Sequence, residues 1–146
     1  MVKTVVVYHS GYGHTQRVAQ FVAQGANAQV IAIDADGNET AGIRLPDLTV
    51  PLATVTGWNP RHPEQGGAGD LMQMMGSTLP FARARAEREA SGDPRLSIAE
   101  RYASREAYLE AVRAAAEKLV AARYLLAEDM DGIVERAGRR WDYFHA

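Results

Sequence analysis

The sequence contains no cysteine, which excludes disulfide bonds, thiolate metal sites, iron–sulfur clusters and a cysteine nucleophile. It has no apolar run close to the roughly 20 residues of a membrane-spanning helix, and its first residues lack a secretory-signal pattern. Neither sign of charge dominates, because 16 Lys and Arg stand against 18 Asp and Glu. These absences predict a cytoplasmic protein with neither a membrane nor a nucleic acid as its partner.

The composition that remains is that of a folded globular chain. The 146 residues are 47% hydrophobic and 23% charged, and this length suits a single compact domain. We expect three segments within that domain: a strand–helix–strand segment over residues 1–33, an irregular connection over 34–69 and a helical segment over 70–146. The predicted fold class is therefore α/β, with an N-terminal βαβ unit and a helix-rich C-terminal half.

The βαβ prediction depends on a change of apolar period. Residues 2–8 form a short β-branched run, a helical spacing follows that stops at Gly25, and residues 27–33 form a second apolar run. Residues 49–56 predict a third strand, and Pro51 places it at an edge because proline donates no hydrogen bond to a neighbouring strand. Trp58 is the predicted anchor of the loop that follows.

Four helices are predicted in the C-terminal half. They cover residues 71–75, a stretch from Ser77 to Gly92 with Pro80 in its first turn, a stretch capped by Ser104, and a last helix. A short link over residues 124–127 predicts that the last two helices pack as an antiparallel pair. The apolar stripes expected to face each other are Leu109, Val112, Ala116, Leu119 and Val120 on one helix, and Met130, Ile133, Val134, Ala137, Trp141 and Phe144 on the other.

The turn between the first strand and the first helix has the residues of an anion site. Backbone N–H groups at a helix start have no partner within the helix, and glycines let a ligand approach the backbone. The candidate ligand-binding residues are two glycines, two hydroxyl donors, a histidine donor and a covering tyrosine: Ser10, Gly11, Tyr12, Gly13, His14 and Thr15. The turn lacks the sequence motifs that bind nucleoside triphosphates and dinucleotides. These residues therefore predict that a phosphate group binds, but they do not identify the molecule that carries it. The alternative is a turn that only redirects the chain.

Two stretches of the sequence resemble known families. The stretch V-V-V-Y-H-S-G-Y-G-H-T-Q-R-V-A-Q-F-V-A-Q-G-A resembles the opening of flavodoxin-like proteins, especially FMN-binding quinone reductases, over residues 1–33. This resemblance implies that the turn at residues 10–15 holds the phosphate of FMN. The stretch S-G-D-P-R-L-S-I-A-E-R-Y-A-S-R-E-A-Y-L and the closing R-R-W-D-Y-F resemble the C-terminal segment of a bacterial α/β-hydrolase-domain family, over residues 34–146. The chain therefore looks like a composite.

Three functions remain open at this point. The first is binding of a phosphate or FMN-type mononucleotide at the N-terminal turn, without an assured redox activity. The second is a non-catalytic module that binds a protein partner or a second copy of itself. The third is a catalytically incomplete protein derived from an α/β hydrolase, since no G-x-S-x-G motif occurs and no catalytic residue is predicted. The four histidines show no ligand spacing, so no metal site is predicted.

Overall fold

The structure, a computed structural model, describes residues 4–9, 14–57, 59–67, 70–72 and 75–146. The chain separates into two compact units, Met1–Gly42 and Ile43–Ala146. The sequence predicted one compact domain with a segment boundary after residue 33, whereas the boundary between the units follows residue 42. Trp58, the predicted loop anchor, lies outside the described residues.

The first unit contains the predicted βαβ arrangement. Strands β1 (Val5–Tyr8) and β2 (Gln29–Ala32) pair in parallel, and helix α1 (His14–Ala26) connects them. The α1 helix buries two small side chains, Ala19 and Ala23, which permit close packing. It ends one residue beyond the predicted Gly25, because Asn27 takes the left-handed conformation (φ 49°) that commonly terminates a helix.

The predicted third strand belongs to the other unit, so its assignment to the βαβ sheet was wrong. Residues 46–49 form a short helix, α2 (Pro46–Thr49), and the strand β3 is confined to Ala53–Thr56. The β3 strand pairs antiparallel with β6 (Ser77–Pro80). A second small hairpin joins β4 (Asn59–Pro60) to β5 (Leu71–Met72), and a 3₁₀ turn at Pro63–Gln65 lies between them.

The helices predicted over residues 71–75 and from Ser77 onward were also wrong, because both stretches contribute strands. Four of the eight residues in the β3–β6 pair are β-branched, three Thr and one Val, and such side chains favour a strand when a partner strand is present. Pro80 ends β6, where a missing donor is tolerated. A Cβ atom on Gly76 would lie 2.4 Å from the Thr56 carbonyl oxygen, so only glycine permits this approach of the two strands.

The remaining C-terminal helices are α3 (Arg85–Ser91), α4 (Ile98–Arg101), α5 (Arg105–Ala121) and α6 (Met130–His145). The predicted end near Gly92 is confirmed, since this residue caps α3 in the left-handed conformation. The predicted cap at Ser104 is also confirmed, because its hydroxyl accepts a hydrogen bond from the Ala107 N–H at 3.2 Å.

The predicted antiparallel pairing of α5 and α6 is confirmed by two ion pairs. Arg105, at the start of α5, contacts Asp142 near the end of α6 at 2.8 Å. Arg113, further along α5, contacts Asp131 at the start of α6 at 3.2 Å. The order of contacts along one helix is the reverse of the order along the other, which requires antiparallel axes.

The core of the second unit includes both helices and the end of the β3–β6 hairpin. Val112 and Ala116 are buried as predicted, whereas Leu119 and Val120 are only half-buried. The predicted stripe on α6 packs against the core through Ile133, Val134, Ala137, Trp141 and Phe144. The other buried members of this cluster are Leu52, Phe81, Ile98 and Tyr108.

Candidate functional site

The carboxyl ends of β1 and β2 lie at the same edge of the parallel pair, and α1 begins shortly after β1 ends. Open parallel sheets bind ligands at this edge, because the connections that leave the strands meet there. The Ile33 N–H donates a 2.9 Å hydrogen bond to the Tyr8 carbonyl oxygen, which holds the two strand ends together. The fold thus places the start of α1 where a ligand site is expected.

A side-chain contact also joins the segments that leave the two strands. His9 follows β1 directly, and its Nδ1 atom lies 3.0 Å from the carbonyl oxygen of Ile33, which follows β2. A carbonyl oxygen only accepts hydrogen bonds, so this contact selects the histidine tautomer that carries its proton on Nδ1. The contact therefore joins the residue after β1 to the residue after β2.

The start of α1 offers hydrogen-bond donors without a competing carboxylate. His14 and Thr15 occupy the first turn and are exposed, and that turn contains no acidic residue. Arg17, also exposed, adds a positive charge to the same part of the helix. Unpartnered backbone N–H groups and the helix dipole favour an anion at such a position. The other predicted site residues, Ser10, Gly11, Tyr12 and Gly13, lie outside the described residues.

The turn after β2 is stabilised by its own polar groups. One carboxylate oxygen of Asp34 accepts hydrogen bonds from the backbone N–H groups of Asp36 at 3.0 Å and Asn38 at 2.9 Å. This arrangement is an Asx-type turn, in which an aspartate replaces a backbone acceptor. The Asp34 carboxylate therefore has a local structural role, and Asp36 contributes its backbone N–H to the same turn. Within the described ranges, no group of three or more His, Asp or Glu side chains is arranged to hold a metal ion.

The second unit contains a polar cluster around Arg95. Its guanidinium donates to both carboxylate oxygens of Asp93, with the shortest distance 2.6 Å, and to the Thr54 hydroxyl at 2.8 Å. The hydrogen bond from the Arg95 guanidinium holds the pKa of Asp93 at about 2, below its usual 3.8. A carboxylate that stays ionised in this way is a poor proton donor, and the guanidinium is occupied by protein acceptors. The cluster is therefore structural.

A related cluster surrounds Glu100. Its carboxylate accepts hydrogen bonds from the Ser97 backbone N–H at 2.9 Å and the Ser97 hydroxyl at 2.7 Å, and it pairs with Arg88 at 2.9 Å. The two hydrogen bonds from Ser97, followed by that from Arg88, lower the pKa of Glu100 to about 2. This capping box was not predicted from the sequence, although its Ser-x-x-Glu spacing is a recognisable signal.

Comparison with known proteins agrees with both resemblances predicted from the sequence. The profile of the alpha/beta hydrolase domain family matches residues 12–135, most of the chain. The protein belongs to this family. The match begins further toward the N-terminus than the predicted boundary at residue 34.

The chain is also similar to Flavodoxin FldP of Pseudomonas aeruginosa (strain UCBPP-PA14). The two are 63% identical over 38 residues, which is 26% of this chain. The matched stretch spans about a fifth (21%) of the flavodoxin's own length. No solved structure matches the chain. Together with the family match, this similarity supports the composite organisation predicted from the sequence.

In the part of the chain that the structure describes, no helix is both long enough and apolar enough to cross a membrane.

Proposed function

We propose that the turn at residues 10–15 binds the phosphate group of an FMN-type mononucleotide. The supporting observation is the start of α1, a helix of 13 residues whose first turn is free of acidic side chains and follows the carboxyl end of a parallel strand. His14 and Thr15 supply side-chain hydrogen-bond donors there, and the positive end of the helix dipole attracts the negative charge of the phosphate. The short similarity to a flavodoxin supports FMN as the ligand.

The proposal concerns binding and assigns no redox step to the chain. FMN would bring its own flavin chemistry when bound, whereas the role of the protein residues is to hold the phosphate. The absence of acid in the first turn of α1 fits a dianionic phosphate, because a carboxylate at that position would repel it. The expected affinity therefore depends mainly on the phosphate.

FMN is expected to bind at least about tenfold more tightly than riboflavin, which lacks the phosphate. Hydrogen bonds to a charged group contribute about 1.5–3 kcal/mol each, and 1.4 kcal/mol corresponds to a tenfold change in affinity. Quenching of flavin fluorescence during titration with the protein measures both constants. Equal affinities for the two flavins, or no binding of either, would contradict the proposal.

Two matched variants test where the phosphate is held. Thr15→Val removes an exposed hydroxyl in the first turn of α1 and is expected to weaken FMN binding without altering riboflavin binding. Thr49→Val makes the same chemical change at the end of α2 in the other unit and should leave both affinities unchanged. A loss of FMN affinity in both variants would show that the effect is not local to the turn.

A second candidate function, self-association, is favoured by the exposed apolar face of α1. Val18 is 61% exposed, Phe21 73% and Val22 54%, and their i, i+3, i+4 spacing places them on one side of the helix. Contiguous exposed apolar residues of this kind commonly mark an interaction surface. We propose a second copy of the chain as the partner.

If this face joins two copies, the parent protein should form a dimer whose dissociation constant rises at least about tenfold in Phe21→Gln, since Phe21 is the largest and the most exposed of the three side chains. Light scattering over a concentration series measures the mass of each species. Gln20→Ala, at the neighbouring position of the same helix, is the control and should dimerise like the parent. A monomeric parent at every concentration would eliminate this candidate.

Membership of the alpha/beta hydrolase domain family is not sufficient to assign hydrolytic activity to this chain. The chain contains no G-x-S-x-G motif, and Ser77 begins β6 opposite Thr56 rather than occupying a turn between a strand and a helix. A serine in a regular antiparallel pair lacks the exposed strand-to-helix position that this chemistry requires. We therefore do not propose ester hydrolysis by this chain.

A further inference from the structure

A pocket in the second unit lies between α2 and α6. Its volume is about 90 Å³, enough for several water molecules. The residues that line it come from the start of α2 and from successive turns of α6: Leu45, Pro46, Asp47, Ile133, Arg136 and Arg140. It is separate in the chain from the turn at residues 10–15, and nothing in the proposed phosphate site depends on it.

The pocket has one cationic side chain more than it has anionic ones. Arg140 donates to the Asp47 carboxylate at 2.5 Å, so these two charges offset each other. Arg136 is exposed and forms no ion pair or hydrogen bond with any residue that the structure describes. The uncompensated charge at the pocket is therefore the guanidinium of Arg136.

The guanidinium of Arg136 lies along the surface of its own helix and lines the pocket. One terminal nitrogen of Arg136 lies 3.5 Å from the place that a Cβ atom on Gly132 would occupy, one turn earlier in α6. A guanidinium recognises a carboxylate with two parallel hydrogen bonds, which gives direction as well as charge complementarity.

The other walls of the pocket are apolar. Pro46 is buried, Ile133 is half-buried, and Leu45 keeps 47% of its surface exposed. An apolar group that covered these side chains would remove hydrocarbon surface from water, at about 25 cal/mol per Å². The lining of the pocket therefore combines one uncompensated cation with hydrocarbon side chains.

We propose that this pocket binds a small monocarboxylate with a short hydrocarbon chain. The carboxylate would pair with Arg136, and the hydrocarbon chain would cover Leu45, Pro46 and Ile133. A monoanion matches the single uncompensated positive charge, whereas a phosphate dianion would keep an excess negative charge beside Asp47 and would leave the apolar wall uncovered.

Butanoate is a suitable probe, because it combines a carboxylate with a three-carbon chain. Titration of the ¹⁵N-labelled full chain is expected to give saturable shifts of the backbone amide signals of Leu45, Asp47 and residues 133–140. Butanamide, which has the same shape without the charge, should bind at least about tenfold more weakly. Acetate and inorganic phosphate should also bind more weakly than butanoate, since neither covers the apolar wall.

Two neighbouring arginines on α6 provide the decisive comparison. Arg136→Gln should weaken butanoate binding at least about tenfold. Arg139→Gln should leave it unchanged, because Arg139 pairs with Glu135 and does not line the pocket. Both side chains are exposed, so both variants are expected to fold, and their thermal unfolding verifies this. Unchanged binding in Arg136→Gln, or equal binding of butanoate and butanamide, would overturn the proposal.

Discussion

Replacing Phe81 by alanine is expected to lower the free energy of unfolding of the second unit by about 3–5 kcal/mol. Phe81 is 3% exposed and belongs to the core cluster. Two guanidinium groups also lie over its ring. The Cζ atom of Arg101 is 4.3 Å from the ring centre, and the Cζ atom of Arg95 is 5.1 Å from it. The variant would therefore create a cavity and remove two cation–π contacts. Urea unfolding, followed by tryptophan fluorescence, measures the change.

Leu79→Ala is the matched control, because Leu79 lies two residues earlier and is 49% exposed. This variant should change the free energy of unfolding by no more than about 0.5 kcal/mol, as is usual for surface positions. Phe81→Leu keeps most of the volume but removes the aromatic face, so its cost should fall between those of the other two variants. If Phe81→Ala unfolds at the same urea concentration as Leu79→Ala, the core has been assigned to the wrong residues.

The parts of the fold that were predicted correctly depend on contacts between residues close in sequence. The βαβ unit follows from one change of apolar period, and the helix boundaries at Gly92 and Ser104 follow from capping residues. The antiparallel α5–α6 pair follows from a short link between two stripes. In each case the signal and the structure it produces lie within a few turns of one another.

The β3–β6 pair could not be predicted in this way. Its strands are separated by about twenty residues, and each is too short to show a two-residue period. Residues 71–80 also contain apolar spacing and a proline compatible with a helix start. Pairing with β3 overrides that local preference, and the close approach at Gly76 becomes visible only when both strands are placed together.

The two candidate sites also differ in whether their residues are close together in the sequence. His14 and Thr15 were assigned to the proposed phosphate site from the sequence because its strand, turn and helix are contiguous along the chain. The α2–α6 pocket has no such signal, since its Asp47–Arg140 ion pair joins residues 93 positions apart. An arginine that pairs across this distance looks like any other charged residue of an amphipathic helix. Only the folded chain shows which arginine of α6 is left unpaired.

Through its hydrogen bonds, the Arg95 side chain joins three segments of the second unit. Besides Asp93 and the Thr54 hydroxyl, its guanidinium donates to the Leu79 carbonyl oxygen at 3.1 Å. The Arg95 and Asp93 side chains are only 20% and 15% exposed. Removal of the guanidinium would leave the largely buried Asp93 carboxylate with the backbone N–H of residue 95, 2.9 Å away, as its remaining donor in this cluster, and would take one donor from the Leu79 carbonyl oxygen. Such a loss is costly because these acceptors do not regain full contact with water.

Arg95→Met is therefore expected to lower the free energy of unfolding by about 3 kcal/mol at pH 7. The control, Arg85→Met, removes a guanidinium that is 71% exposed and pairs with Glu89 on the same helix, so its cost in free energy of unfolding should be within about 0.5 kcal/mol. Urea unfolding of both variants measures the two costs. A cost for Arg95→Met no larger than that for Arg85→Met would show that the cluster does not stabilise the fold.

The pH dependence distinguishes the Arg95–Asp93 contact from a simple packing effect. The pKa of Asp93 is about 2 in the folded chain and 3.8 in its ordinary state, so the folded state binds this proton less readily. The contribution of the lowered Asp93 pKa to the free energy of unfolding is therefore present above pH 4 and is lost as the pH falls toward 2. Arg95→Met removes the largest cause of the lowered pKa of Asp93, the side-chain hydrogen bond, so the gap in melting temperature between parent and variant should narrow over this range. A gap that stays constant from pH 6 to pH 2 would assign the effect to packing instead.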